Sequence, residues 1–160
     1  MEKSDIIILL DIDNTLFNTV KLKKSNLTSF ELFDEVRDTL KKLSSIATLG
    51  ILSQGEIVFQ NKKLETTQIK QYFLSEHTHI VEYKLDVMKD ILERYRDSAK
   101  VYFIDDWLEG LRVAKQVAPH VFTIWMKRGE YADSQKELSD FIPDATVTNL
   151  HDIIPLIKNK

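Results

Sequence analysis

Short apolar runs alternate along this chain with longer segments in which apolar residues recur every three or four positions. Ile6–Leu10 is an unbroken run of isoleucine and leucine, the mark of a strand buried on both faces. Within 34–43, Val36, Leu40 and Leu43 repeat at helical spacing, and Asp34 is placed to cap the start. Further strands are expected at 46–52, 78–81, 101–104, 121–126 and, briefly, 145–147. Helices are expected over 61–74, 85–95, 108–117 and 133–141, with a last one opened by Asn149.

This alternation predicts an α/β fold of three layers: a Rossmann-like, mostly parallel central sheet between two helical layers. The strand order 3-2-1-4-5 is an added expectation, which the alternation does not itself fix. With 4 glycines and 3 prolines, no linker divides the chain, so 1–160 is expected to form a single domain. The polar stretch at 18–29 is the one candidate for a flexible feature, a flap around 17–30.

Composition narrows the chemistry. Hydrophobic residues at 43% and charged residues at 29% describe a soluble globular chain rather than a disordered one. A net charge of -3 does not suit a surface built on phosphate contacts, so nucleic acid is not indicated as a partner. The absence of cysteine excludes disulfides, thiolate metal sites and thiol nucleophiles. No stretch approaches the roughly 20 apolar residues of a membrane span, and residues 1–5 lack the layout of a signal peptide. No membrane partner is expected, and a cytoplasmic location is.

The polar residues at the ends of the apolar runs point to function. The first strand runs into Asp11-Ile12-Asp13-Asn14-Thr15, the second into Ser53-Gln54-Gly55, and the fourth into Asp105-Asp106; Lys84 comes shortly after the third. In open α/β sheets ligands sit beyond the carboxyl ends of the strands, near the point where strand order reverses. With order 3-2-1-4-5 the first and fourth strands are neighbours, so Asp11, Asp13, Asp105 and Asp106 converge there. Carboxylates that close do not all stay ionised without a cation, and a hard divalent ion, magnesium above all, is the expected cofactor. Ser53 and Lys84 add a hydroxyl and an ammonium, and the set suits phosphoryl transfer.

The same residues resemble the four signature motifs of the haloacid dehalogenase-like hydrolase superfamily. The first stands as IIILLDIDNTL at 6–16, the second as GILSQ at 50–54, the third as Lys84 in EYKLDVMKDIL, and the fourth as VYFIDDWLEG at 101–110. The first motif is specific by itself; the second and third gain weight from their order along the chain. The tail DATVTNLHDIIPLI is similar to the family's closing strand and helix.

The resemblance implies a phosphomonoesterase acting through an aspartyl-phosphate. Asp11 would be the nucleophile, and Asp13 the acid that protonates the leaving group and then activates water. Ser53, Gln54 and Lys84 would bind the phosphoryl oxygens, and Lys84 would also restrain Asp11. Asp11, the backbone carbonyl of Asp13, and Asp105 would hold magnesium, with Asp106 favoured over Glu109 to complete the shell. Residues 14–52 and 54–83 leave no room for a large cap domain, which implies a bulky substrate or a homo-oligomer whose neighbour covers the site. The substrate, a phosphorylated small molecule or macromolecule, is not specified by the sequence.

Plainer readings stand beside these. An Asp-x-Asp pair forms turns, and Ser53 or the Asp105-Asp106 pair would cap a helix equally well. Lys84, by contrast, sits where helix dipoles disfavour cations. Lys21, Lys23 and Lys24 read as a solvated loop face, Lys127 and Arg128 as a polar loop beside the site, and His77 and His79 as core-edge histidines. Trp107 would stack on a substrate ring or pack under the flap. Among other functions, a phosphomutase would need a cap, a dehalogenase would not need Asp13 or the metal, and a P-type ATPase core would carry Thr at position 13. A receiver-like phospho-acceptor module would place its acidic pair first and its Lys last, the reverse of the order here; a binding protein with a degenerate site would not fill every catalytic position.

Overall fold

The pattern of apolar runs becomes a single parallel sheet of six strands in the order β3-β2-β1-β4-β5-β6. A computed structural model describes residues 6–158; the expectation for residues 1–5 lies outside them. The strands are β1 (Ile6–Leu10), β2 (Thr48–Gln54), β3 (Thr78–Val81), β4 (Lys100–Asp105), β5 (Phe122–Met126) and β6 (Ala145–Val147). The expected order of five is present, and β6 extends it by pairing with β5 through Ile124, Trp125 and Met126.

Strand β1 is central, pairing with β2 on one side and β4 on the other. Its side chains alternate between the two layers, as a period of two requires. Ile8 and Leu10 join one core cluster with Val36, Leu40 and Leu43; Ile7 and Leu9 join the other with Met88, Leu92 and Leu111. Each fully buried aliphatic side chain contributes about 1.5–3 kcal/mol, so the strand that delivers Asp11 is anchored from both faces. Gly50 in β2 is set by a close approach: a Cβ there would overlap the backbone carbonyl of His77.

The helices are α1 (Thr19–Lys24), α2 (Val36–Leu43), α3 (Ile57–Thr66), α4 (Lys84–Glu93), α5 (Leu108–Val117), α6 (Gly129–Ser134) and α7 (Ile153–Lys158). Three depart from expectation for identifiable reasons. Helix α3 starts four residues before the expected 61, because the Glu56 carboxylate accepts from Val58 N (3.0 Å) and Phe59 N (2.6 Å) and caps it there. It stops at Thr66 rather than at 74, because Gln68 takes a left-handed conformation (φ 58°). Helix α6 occupies 129–134 instead of 133–141: Gln135 is extended, its side chain is spent on the loop after β4, and no helix follows before β6. Helix α2 begins at Val36 without a side-chain cap from Asp34 or Glu35.

The flap region is a short helix rather than a plain hairpin. Asn18 caps α1 by accepting from Lys21 N (3.2 Å), Leu22 is buried, and an isolated antiparallel bridge joins Phe17 to Leu32. Between β1 and β2 the described residues hold only α1 and α2, and between β2 and β3 only α3 and two short 3-10 turns. Neither segment houses a large cap. No helix among the described residues is long and apolar enough to cross a membrane.

Candidate active site

Strand order reverses at β1, and the crevice beyond the carboxyl ends of β1 and β4 lies at that switch point. Asp11 follows β1 directly, with its N–H still donating to Ile104 O (2.9 Å) of β4. Asp105 is the last residue of β4, and Asp106 comes next. Carboxylate oxygens of Asp11, Asp105 and Asp106 all lie within 4.8 Å of one another, and the three side chains are buried.

A lysine ammonium faces them. Lys84, at the first position of α4, is 2% exposed and donates to Asp11 Oδ1 (3.0 Å) and Asp105 Oδ2 (2.8 Å). Its backbone N–H donates to Gln54 Oε1 (2.9 Å), so the end of β2 positions the start of α4. Asn14, held at φ 58°, donates to Asp106 Oδ2 (3.1 Å). The Asp106 carbonyl accepts from Trp125 Nε1 (3.1 Å) and Gln135 Nε2 (2.6 Å), which fixes the loop that carries the acidic pair.

With all three carboxylates ionised, the cluster would hold two negative charges more than Lys84 neutralises. The protonation equilibria register this excess. Burial, opposed by Lys84 and reinforced by Asp105 and Asp13, pushes Asp11 up to about 7. Burial and the Asp11 and Asp105 charges push Asp106 up to about 9. Lys84 is pulled down by its own burial and raised further by Asp105 and Asp11, and the net direction is upward. Hard oxygen donors with this deficit fit a divalent cation such as magnesium.

The same excess makes stability depend on pH. Unfolded Asp titrates near 3.8, whereas in the fold Asp11 and Asp106 keep their protons to about 7 and about 9. Between these values the folded chain binds more protons than the unfolded one, so raising the pH favours unfolding. Thermal melts in chelator should therefore fall from about pH 4 towards about pH 9, and a divalent cation should reverse most of the fall. A melting temperature indifferent to pH and to the cation would contradict the charge excess.

Around the cluster is an open cavity of about 250 Å³, lined by Asp11, Asp13, Asn14, Gln54, Lys84, Asp105, Asp106, Trp107 and Tyr131. Asp13 also lines it, its carboxylate outside the three-acid group and accepting from Lys63 Nζ (2.6 Å), Gln60 Nε2 (2.9 Å) and Thr19 Oγ1 (3.5 Å). Ser53 is 1% exposed and is not part of the cavity wall; its hydroxyl oxygen faces Gln60 Nε2 at 3.4 Å.

No protein-family model matches the chain, and no curated protein does. Solved structures do. A chain described as a haloacid dehalogenase-like hydrolase of Burkholderia xenovorans superposes with a TM-score of 0.79 at 19% identity, covering 98% of each chain. A magnesium-bound HAD-hydrolase of Bacillus subtilis gives 0.70 at 14% identity, covering 99% of this chain and 100% of that one. The D,D-heptose 1,7-bisphosphate phosphatase of B. bronchiseptica, solved with magnesium and phosphate, gives 0.70 at 14%, covering 96% and 99%. This is the haloacid dehalogenase-like fold.

Within that fold several open questions from the sequence acquire definite geometry. Asp106, not Glu109, stands beside Asp11 and Asp105; Glu109 is turned into a two-pronged pair with Arg112. Arg128 does not face the cavity. It donates to the carbonyls of Asn14 (3.2 Å) and Thr15 and to the Glu35 carboxylate, and it stacks on Phe33 at 3.6 Å, bracing the loop after β1. Lys127 lies over the Trp125 ring (5.0 Å), Lys21 pairs with Glu31, and the rings of His77 and His79 share the Tyr95 hydroxyl. Trp107 is one of the residues that line the cavity.

Sequence reading did not identify Asn14, Gln60, Lys63, Tyr131 or Gln135 as part of this region. One local signal was available for two of them. Gln60 and Lys63 lie three apart beside Leu64, a polar pair on the face a helix normally buries. Starting the helix at 61 placed Gln60 outside it.

Proposed function

We propose that the protein is a magnesium-dependent phosphohydrolase, a phosphomonoesterase acting through an aspartyl-phosphate on Asp11. The observation that carries this reading is the meeting of three buried carboxylates from adjoining strands around one buried lysine, with a further carboxylate, Asp13, on the same cavity. The likeness to a phosphatase solved with magnesium and phosphate supports it.

Asp11, Asp105 and Asp106 would hold the metal, which, when bound, offsets charge on the transferring phosphoryl oxygens. Lys84 fixes the rotamers of Asp11 and Asp105 and adds a positive charge at the cavity wall. The free Asp11 oxygen attacks phosphorus while the bond to the leaving oxygen breaks, and that oxygen takes a proton from Asp13. Asp13 then takes a proton from water as the water oxygen attacks phosphorus, and the bond to Asp11 breaks, releasing phosphate. Gln54 orients Lys84 by accepting from its backbone N–H, and the Ser53 hydroxyl, beside Gln60 Nε2, is the group at the end of β2 that would bind a phosphoryl oxygen.

The substrate class that suits an open cavity without a large cap is a bulky phosphorylated molecule, or a small one in a homo-oligomer whose neighbour closes the site. The chain acts as a single domain in this scheme. Hydrolysis of p-nitrophenyl phosphate should require magnesium and stop in chelator. Asp13→Asn should lower steady-state turnover by about 10²-fold or more and accumulate phosphoenzyme, read by acid quench with labelled substrate. A wild type that forms stable phosphoprotein without turnover would sink the hydrolase reading in favour of a phospho-acceptor module.

A further inference from the structure

Helix α3 buries two polar side chains, Gln60 and Lys63, beside the apolar Leu64, where an amphipathic helix would bury apolar ones. Gln60 and Lys63 stand three apart and share a face, and both meet Asp13. Lys63 Nζ donates to Asp13 Oδ1 at 2.6 Å, and Gln60 Nε2 donates to Oδ2 at 2.9 Å, so each carboxylate oxygen has its own donor. Lys63 is 3% exposed, a depth at which an ammonium is strongly disfavoured unless paired. Its other neighbour is the Phe59 ring at 4.9 Å.

The Gln60 amide can face only one way. Its nitrogen looks onto three oxygens, Asp13 Oδ2, Gln54 O (3.3 Å) and Ser53 Oγ (3.4 Å); a flip would set oxygen against two acceptors that cannot donate. Neither Gln60 nor Lys63 lines the cavity, whereas Asp13 does and is a third exposed. The two donors therefore act from behind the carboxylate, and they come from one helix pinned at its start by Glu56.

We propose that Lys63 and Gln60 are positioning residues that hold the Asp13 carboxylate in the orientation its acid–base role requires. The inference rests on the phosphohydrolase reading above. Asp has two side-chain torsions, and proton transfer demands an oxygen within hydrogen-bond reach of the leaving group and then of water. Asp13 Oδ1 accepts from Lys63 and, at 3.5 Å, from Thr19 Oγ1, whereas Oδ2 accepts from Gln60 and keeps a second lone pair, on which the proton can travel while the donors stay in place. Without them the carboxylate swings, and a misplacement of about 1 Å can cost about 10²-fold in rate.

Lys63→Met tests this through the signature of a failing acid–base group. Turnover of an alkyl phosphate such as glycerol phosphate, whose leaving group needs the proton, should fall by about 10²-fold. Formation of phosphoenzyme from p-nitrophenyl phosphate should survive, and phosphoenzyme should accumulate. In an Asp13→Asn background the same substitution should add less than about a twofold loss. Gln60→Leu should shift both readouts in the same direction by a smaller factor, and it carries the test if Lys63→Met does not fold by circular dichroism. Equal losses on both substrates without phosphoenzyme, or no loss, in an active enzyme would overturn this inference alone. A wild type without turnover would overturn the phosphohydrolase reading and this inference with it.

Discussion

Asp11→Asn should abolish magnesium-dependent phosphate release, by about 10⁴-fold or more, and yet leave a chain at least as stable as the wild type when no metal is bound. The two effects share one cause. Asp11 is 5% exposed, and its raised pKa measures how unfavourable its charge is in the metal-free cluster. The amide keeps the shape and one acceptor oxygen but removes that charge. Near pH 9 in chelator the variant should melt above the wild type; near pH 5, where Asp11 is already protonated, the gap should close. Such an opposition between activity and stability is expected where a site is held against its own repulsion. Thermal melts at the two pH values, beside p-nitrophenyl phosphate assays, read both effects. Robust turnover in Asp11→Asn would remove Asp11 as nucleophile, and a variant less stable than the wild type at alkaline pH would deny the repulsion.

Lys84→Met should be the most destabilising substitution at the site. It leaves Asp11 and Asp105 without the ammonium 3.0 Å and 2.8 Å away, where all three side chains are buried. Breaking a buried ion pair by removing one partner costs about 3–5 kcal/mol, which for a chain of this size lowers the melting temperature by about 10 °C. The loss should be largest at alkaline pH without metal. Acidification, which protonates the stranded carboxylates, should recover part of it, as should magnesium. Activity should fall even at saturating magnesium, because Asp11 loses the contact that fixes its rotamer. A Lys84→Met chain as stable as the wild type at pH 9 in chelator would show that Lys84 is not what balances the cluster.

The sheet was largely legible in the sequence because its signal is local. An aliphatic run flanked by polar residues reads as a buried strand wherever it lies, and β1 coincides with its expected 6–10. The position of the acidic residues at the strand ends came from that alternation; the expected strand order, which the sheet bears out, did not follow from it. Helix ends were less legible, because they depend on side chains that choose between local caps and distant partners. Glu56 stays local and starts α3. Glu35 instead accepts from Arg128 and from Leu150 N (3.0 Å), and α2 starts without its help. Gln135 bonds to Leu108 N and Asp106 O, and the chain leaves the helix where this happens.

The sequence by itself determined that Asp11 and the Asp105-Asp106 pair stand at the carboxyl ends of strands, because the apolar run before each fixes where it stops. That these three form the cluster while the Asp13 carboxylate stays outside it was decided by the fold. Only the tertiary structure decided that Lys84 answers Asp105 as well as Asp11, and that Lys63 answers Asp13. Periodicity encodes which face of an element is buried, and that depends on a few neighbouring residues. A salt link across 50 or 73 positions depends on how two helices settle against the sheet, and no local pattern records it.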